Sequence, residues 1–187
     1  MAYDLKVETE RLTIRPYHQR DYSNWLHEHK RRQPAQHKYD QGSTDMSECT
    51  EIWFHQMVES QQELIAKDDC YIFGVFHKQT GVHIGTIDLS TLMRYDFQWG
   101  RIGYMIHNHQ WRKGFGREAV QASLSLAFKK LDFHRIEAHI NLDNEASIKL
   151  AESVGMQFEC IRKGFIFEFG EWTDNLIYYI TADTPLK

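Results

Sequence analysis

At 187 residues the chain has the length of a single domain and can bury a sizeable core. Its 42% hydrophobic and 26% charged content is that of an ordinary globular protein, and a net charge of −4 argues against a general nucleic-acid binder, which needs a basic surface. No apolar run approaches the ~18 residues of a bilayer span, the first eight residues hold no apolar signal core, and Cys49, Cys70 and Cys160 are too few and scattered for a disulfide framework or zinc site, so a cytoplasmic protein without membrane association is expected.

Leu12 and Ile14 alternate with Thr13 and Arg15, which predicts a first strand ended by Pro16. Asp21 is a plausible N-cap for a helix carrying Tyr22, Trp25 and Leu26 and fading near Arg32. Lys30-Arg31-Arg32 is the one basic triplet, and a helix terminus accounts for it better than an RNA contact. Residues 33–44 turn to Gln, Pro, Lys, Asp and Gly, which reads as a loop. A second helix is predicted from about Ser47 to Ala66, with Ile52, Trp53, Met57 and Leu64 facing inward. Tyr71–Phe76 and His83–Leu89 read as strands joined by a hairpin through Lys78-Gln-Thr-Gly81, and Ile102–Ile106 as the next strand. Val120, Leu124, Ala127 and Leu131 mark one face of a helix over 118–131. Arg135–Ile140 is a further strand, and Ala146–Val154 a short helix stopped by Gly155. Phe165, Phe167 and Phe169 alternate toward Gly170-Glu171, and Leu176, Tyr178 and Ile180 alternate after it, closing the chain in an antiparallel hairpin. The fold expected is α/β: one domain over 1–187, with a twisted mixed sheet of six to seven strands and about four flanking helices.

The most informative stretch is Arg101 to Arg117, a strand, a short loop and a helix start. Gly114 and Gly116 let backbone amides approach an anion closely, and the first N–H groups of the following helix have no intrahelical partner. With the helix dipole and the charges of Arg112, Lys113 and Arg117, this end of the helix suits a phosphate group.

Trp111-Arg-Lys-Gly114-Phe-Gly116 between strand and amphipathic helix, then strand Arg135–Ile140, Asn144-Glu-Ala-Ser147 and Gly155-Met-Gln-Phe158, resembles the acetyl-CoA-binding core of the GNAT N-acetyltransferase superfamily. The opening Glu8-Thr-Glu-Arg-Leu-Thr-Ile-Arg15 resembles its ribosomal-protein N-terminal acetyltransferase branch. Trp111 stands where the family pattern usually has Arg or Gln. The resemblance implies the acyl-CoA N-acyltransferase fold, with acetyl-CoA as cosubstrate and direct attack by an amine. Acceptors would be a protein N-terminus, foremost of a ribosomal protein, or a small amine such as a polyamine or antibiotic. It further implies a cofactor site over Trp111, Arg112, Lys113, Gly114, Phe115, Gly116 and Arg117, with the backbone amides of Arg112 to Arg117 binding the pyrophosphate. Amides near Met105 and Ile106 would meet the pantetheine arm and thioester oxygen where the strand splays from its neighbour, and Asn144 and Ser147 would lie along the same arm. Trp25, Trp53, His37 and Tyr39 would stand near the acceptor, although both tryptophans also fit a core role. Homodimers are common among resembling proteins, so one is expected by analogy.

Amine acetylation needs a positioned neutral amine, a donor for the developing oxyanion and a proton or hydrogen bond for the departing thiolate. The resemblance makes Ser147 the candidate donor to the sulfur: it stands three residues after Asn144, as in the Asn-x-x-Ser element of the ribosomal-protein branch, and position 151, where many members carry a general-acid Tyr, is Ala. A helix Ser satisfying its own backbone is the competing account, just as Asn144 is also a good N-cap. For the base, Glu168 and Asp174 on the closing hairpin are preferred over Glu171, Asp88, His83, His107 and His109. The pairs His27-x-His29 and His107-x-His109 are not read as metal sites, because neither has a third ligand at a suitable spacing, and no metal is expected.

Two rivals remain. Gly114-Phe-Gly116-Arg-Glu-Ala119 satisfies G-x-G-x-x-A, with Glu137 roughly twenty residues on, as in NAD-dependent enzymes. That fingerprint wants its first Gly directly after the strand, whereas His107 to Lys113 intervene here. A CoA-binding module without turnover is compatible with the same glycine loop.

Overall fold

The computed structural model describes residues 5–186; Met1 to Asp4, part of the stretch searched for a signal core, lie outside them. Among these residues the chain forms eight strands in one mixed sheet and four α-helices. In chain order these are β1 (Val7–Glu8), β2 (Leu12–Pro16), α1 (Tyr22–Lys30), α2 (Glu51–Ala66), β3 (Cys70–His77), β4 (His83–Met93) and β5 (Trp99–Ile106). There follow α3 (Phe115–Lys130), β6 (Arg135–Asn141), α4 (Glu145–Ser153), β7 (Gln157–Glu168) and β8 (Glu171–Thr181). The sheet order is β1-β2-β3-β4-β5-β6-β8-β7, so the last strand of the chain lies inside the sheet. The strand beyond the expected six to seven is the two-residue β1, too short to leave a periodic signal.

Two apolar layers cover the two faces. On β3, Tyr71, Phe73 and Val75 face the core built with Val120, Leu124 and Ala127 of α3 and Ala151 of α4. Ile72 and Phe76 face the smaller cluster of Tyr17, Trp25, Phe54 and Val58 under α1 and α2. This is the period-two alternation of a strand buried on both faces. Gly74 lies between Ile72 and Phe76 because the rings of Phe76 and Tyr17 fill its side-chain space; an added Cβ would sit 2.6 Å from one ring and 2.7 Å from the other.

Helix α2 presents a different face from the one expected. Phe54 and Val58 are buried and Met57 packs against their cluster, whereas Ile52 and Trp53 are 72% and 41% exposed. The helix starts at Glu51, with the Thr50 hydroxyl accepting from Trp53 N–H at 3.2 Å, not near Ser47. Apolar residues occur on several sides of this helix, and the pocket between Tyr17, Tyr22 and Trp25 selects Phe54. Asp21 precedes α1, but its carboxylate serves the preceding turn, accepting from Arg15 at 2.7 and 2.8 Å and from His18 N–H at 2.8 Å. The last hairpin turns through Phe169 and Gly170, both at positive φ, as a two-residue turn requires.

Candidate active site

Strands β5 and β6 run parallel but pair only through Trp99↔Arg135, Gly100↔Ile136 and Arg101↔Glu137. Beyond Arg101 they separate, while β5 stays paired with β4 as far as Ile106. The opening is a cavity of about 640 Å³, with Tyr104, Met105 and Ile106 on one side and Asn144, Ala146, Ser147 and Leu150 of α4 on the other. The splay implied for Met105 and Ile106 is therefore present.

At one end of the cavity the chain turns into α3. Arg112 and Gly114 both take left-handed backbone, at φ 61° and 79°. Gly114 occupies the N-cap position of α3 without a side chain to spend on the helix N–H groups, so Phe115 and Gly116 open the helix with amides that no capping side chain takes up. A Cβ added at Gly116 would sit 3.5 Å from Leu150 and 3.7 Å from Ile106, both of which line the cavity. The helix begins three residues before the expected Glu118, because its first turn is the glycine loop itself.

The loop is anchored from the far edge of the sheet. Arg11 Nη1 donates to Lys113 O at 2.9 Å, and its Nε donates to Glu118 at 2.7 Å, while the guanidinium lies 4.9 Å over the Phe115 ring. Burial pushes the Glu118 carboxyl upward, but hydrogen bonds from Thr9 and Arg11 outweigh it and hold the group below the usual carboxylate range. Trp111 fixes the strand side of the loop: its indole N–H donates to Ile106 O at 2.7 Å, and its ring stacks on His37 at 5.3 Å. Lys113 does not line the cavity; its ammonium caps His109 O and the Gln110 side chain.

Midway along the cavity the Tyr104 hydroxyl lies 2.7 Å from Ser147 Oγ and 3.2 Å from Ser147 O. Burial raises the phenol's pKa, against a smaller opposing effect of Ser147, so Tyr104 keeps its proton. Ser147 N–H meets Asn144 Oδ1 at 3.3 Å, so Asn144 does cap α4 and Ser147 has a partner besides its own backbone. Tyr104 was missed from sequence, where it reads as one more strand aromatic.

A second wall comes from residues 32–42. Asn108, just past β5, donates to Gln33 O at 2.7 Å and to Asp40 at 3.0 Å and accepts from Gln33 N–H at 2.8 Å. Asp40 also accepts from Gln36 and Gly42 N–H and pairs with buried Arg32 at 3.4 Å. Burial drives its carboxyl up, but these donors win and keep it ionised below its ordinary range. Tyr39 lines the cavity and hydrogen-bonds Asp143, while its ring meets Phe169 of the closing hairpin. Trp25 does not reach this space; it is 7% exposed and packed against Phe54, His29 and Trp53, as its core reading held.

Nor do the two acids preferred as base line the cavity. Glu168 accepts from the Asn141 amide and from Thr173 Oγ1, and Asp174 pairs with Lys163 at 2.6 Å and accepts from Gly164 N–H. Asp174 is spent on bracing the β7–β8 hairpin, and Glu168 on bracing it and tying it to the end of β6. Of the histidine pairs, His27 is largely exposed beside Glu28, and His109 Nε2 donates to the Glu28 carboxylate at 2.9 Å. His29 and His107 instead meet each other and His83 behind the cavity.

The acetyltransferase (GNAT) domain family model matches residues 11–157, which include the splay, the glycine loop and α4. The chain belongs to the GNAT acetyltransferase family. This acetyltransferase is 32% identical over 124 residues to the uncharacterized N-acetyltransferase p20 of Bacillus licheniformis, covering 65% of each, so it spans about two thirds of that relative's length. It is 24% identical over 185 residues to the ribosomal protein uS5-alanine N-acetyltransferase of Escherichia coli, over 95% of this chain and 91% of that one. Mycobacterium smegmatis RimJ in complex with CoA-disulfide shares its fold with a TM-score of 0.76 at 19% identity, over 92% of this chain and 82% of the other. A variant of spermidine N-acetyltransferase SpeG from Vibrio cholerae does so with a TM-score of 0.67 at 21% identity, over 93% and 95%. Among the described residues no helix is long and apolar enough to cross a membrane.

Proposed function

We propose that the acetyltransferase transfers the acetyl group of acetyl-CoA to the N-terminal amine of a protein, foremost a ribosomal protein, by direct attack within a ternary complex. The observation that carries the reading is the splay beyond Arg101, with open helix amides at one end and the Tyr104–Ser147 hydroxyl pair along its side. Acetyl-CoA would supply the acetyl group as a thioester. Amides of residues 112–117, with Arg112 and Arg117, would hold its pyrophosphate, and the backbone of Met105 and Ile106 would hold the pantetheine. Gly114 and Gly116 fit this use, since a Cβ at Gly116 would take up the space between Leu150 and Ile106.

The amine nitrogen would form a bond to the carbonyl carbon as the carbon–sulfur bond breaks. Ser147 Oγ–H would hydrogen-bond the leaving sulfur while the Tyr104 phenol, which burial keeps protonated, donates to Ser147 Oγ; the proton the amine releases ends on the CoA thiol, so neither hydroxyl is left charged. Support for a protein acceptor is the likeness to the uS5-alanine enzyme over nearly the whole of both chains. A polyamine acceptor is the second reading, and its support is the shared fold with the spermidine enzyme.

The test begins with thermal unfolding in the presence of acetyl-CoA, CoA, NADH and ATP. A ligand at ~100 times its dissociation constant adds roughly 2.7 kcal/mol, which raises the midpoint by several degrees. A shift with the two CoA species alone is expected; a larger one with NADH would reject the reading. Acetylation of ribosomal-protein N-terminal peptides should then exceed that of spermidine, and the reverse order would select the polyamine. CoA binding without acetylation of either would leave a CoA-binding module. Ser147→Ala and Tyr104→Phe should each lower kcat by about 100-fold with CoA binding retained, and full turnover in both would remove the hydroxyl pair from the chemistry.

A further inference from the structure

Behind the cavity, α1, β4 and the end of β5 bring three histidines together from distant parts of the chain. No two of the ligand nitrogens offered by His29, His83 and His107 are more than 4.8 Å apart. His83 Nδ1 and His107 Nε2 face each other at 2.9 Å, and both residues are fully buried. His29, the least buried of the three, completes the group from α1, with ring centroids 5.6 and 4.7 Å from the other two.

We propose that His29, His83 and His107 form a binding site for a divalent cation of the zinc type, which would fasten α1 and the acceptor wall to the sheet. Zinc takes neutral imidazole nitrogens at about 2.0–2.1 Å, and three histidines with a fourth open position are a known ligand set for it. Tetrahedral angles at that bond length put ligand nitrogens about 3.3 Å apart. The facing pair must therefore part by a few tenths of an ångström, and His29 must close in by rotation of its side chain.

The surroundings give two of the three rings a partner for the nitrogen that faces away from the centre; His107 Nδ1 is buried without one. A ligating histidine normally gives its other N–H to a fixed acceptor. His29 Nδ1 lies 2.8 Å from Trp25 O, which can only accept, so its Nε2 carries the lone pair. His83 Nε2 lies 2.8 Å from the Tyr17 hydroxyl, which also bonds Thr86 Oγ1 at 2.7 Å, and this leaves Nδ1 for the shared centre. Negative charge stands one layer out: Glu28 holds His109, whose ring stacks on His107, and Asp21 acts on His83 from its pairing with Arg15. Arg32 is the other nearby cation and is paired with Asp40. The competing occupant of the gap is a proton shared between His83 and His107.

The arrangement escapes a reading of spacing because the two His-x-His pairs each divide. One member of each joins the site, and the third ligand, His83, comes from a different strand.

The experiment uses tag-free full-length protein, freed of metal with a chelator and titrated with zinc sulfate or cobalt chloride. Elemental analysis after desalting should give one zinc per chain, and cobalt should give the visible bands of a low-coordinate, nitrogen-rich site. His29→Gln, at the least buried ligand, should weaken zinc binding more than tenfold and remove the zinc-dependent rise in unfolding midpoint. His27→Gln, one turn edge away on the same helix, should leave both unchanged. Tyr17→Phe should cost about 10–100-fold in affinity by loosening His83. Wild-type protein that retains no zinc and gives no cobalt bands would overturn the site in favour of the shared proton. So would equal binding by the His29 and His27 variants. None of these readouts depends on acetyl transfer, so the site and the proposed function can fail separately.

Discussion

The two walls of the cavity are built on different principles. The glycine loop on one side presents backbone: Arg112 and Gly114 turn left-handed, and no side chain caps the start of α3. The wall of residues 32–42 is held by side chains, with Asn108 gripping Gln33 and Asp40, Asp40 gripping Arg32, and Phe54 filling the cluster beneath α1 and α2. Backbone recognition is local and suits a ligand common to a whole family. A wall of side-chain contacts is assembled from distant residues and can differ from one acceptor to the next.

That contrast can be broken from the second wall most forcefully. Phe54→Ala removes a fully buried ring and should cost about 3–5 kcal/mol in chemical unfolding. In the folded fraction it should impair the acceptor KM more than CoA binding; equal loss of both would mean that the walls are not separate. Gly114→Asp attacks the first wall by forcing a side chain into left-handed backbone and adding negative charge at the anion end of α3. It should weaken CoA binding by about two orders of magnitude in calorimetry and leave the Asn108 latch intact. Asn108→Ala strands the polar groups of Gln33 and Asp40, so a loss of about 1–3 kcal/mol is expected, with acceptor KM raised and CoA affinity unchanged.

Acid should separate the walls more gently. Glu118 titrates below the ordinary carboxylate range in the folded chain, so its anchoring of Arg11 and the loop is complete above that range. The contribution is lost as pH falls through the depressed value, and Glu118→Gln should flatten that part of the curve of unfolding midpoint against pH. An unchanged curve would deny Glu118 this role. The smallest effect belongs to Ile52→Ser, which should stay within about 0.5 kcal/mol of wild type because Ile52 is exposed. A larger loss would restore the inward face first expected for α2.

The same division explains what could be read from sequence. Gly114 and Gly116, Asn144 and Ser147 announce themselves, because a turn or a cap restricts which residues can stand there and the pattern is complete within a few positions. Strand alternation placed the sheet, and α3 was legible because Val120, Leu124 and Ala127 keep one strict stripe. Tyr104, Arg11 and Asn108 were not legible: each acts through a partner 43 to 107 residues away, and nothing local distinguishes it. Glu168 and Asp174 attracted attention as acids near a turn, yet Asp174 is occupied within its own hairpin and Glu168 there and by Asn141 of β6. Helix α2 misled because it carries apolar residues on more than one side, and only the neighbouring Tyr17 and Trp25 decide which are covered.

The sheet order carries a consequence for how the chain is made. β8 pairs with β6 from Thr181 against Arg135 to Asn175 against Asn141, and β7 must wait outside it. A nascent polypeptide therefore carries β6 with one open edge, including Ile136, Ala138 and Ile140, until residues 175–181 have left the ribosome. Such an edge is a template for pairing with other chains, so shortening the protein within β8 should lead to aggregation during synthesis more than to a loosened cleft.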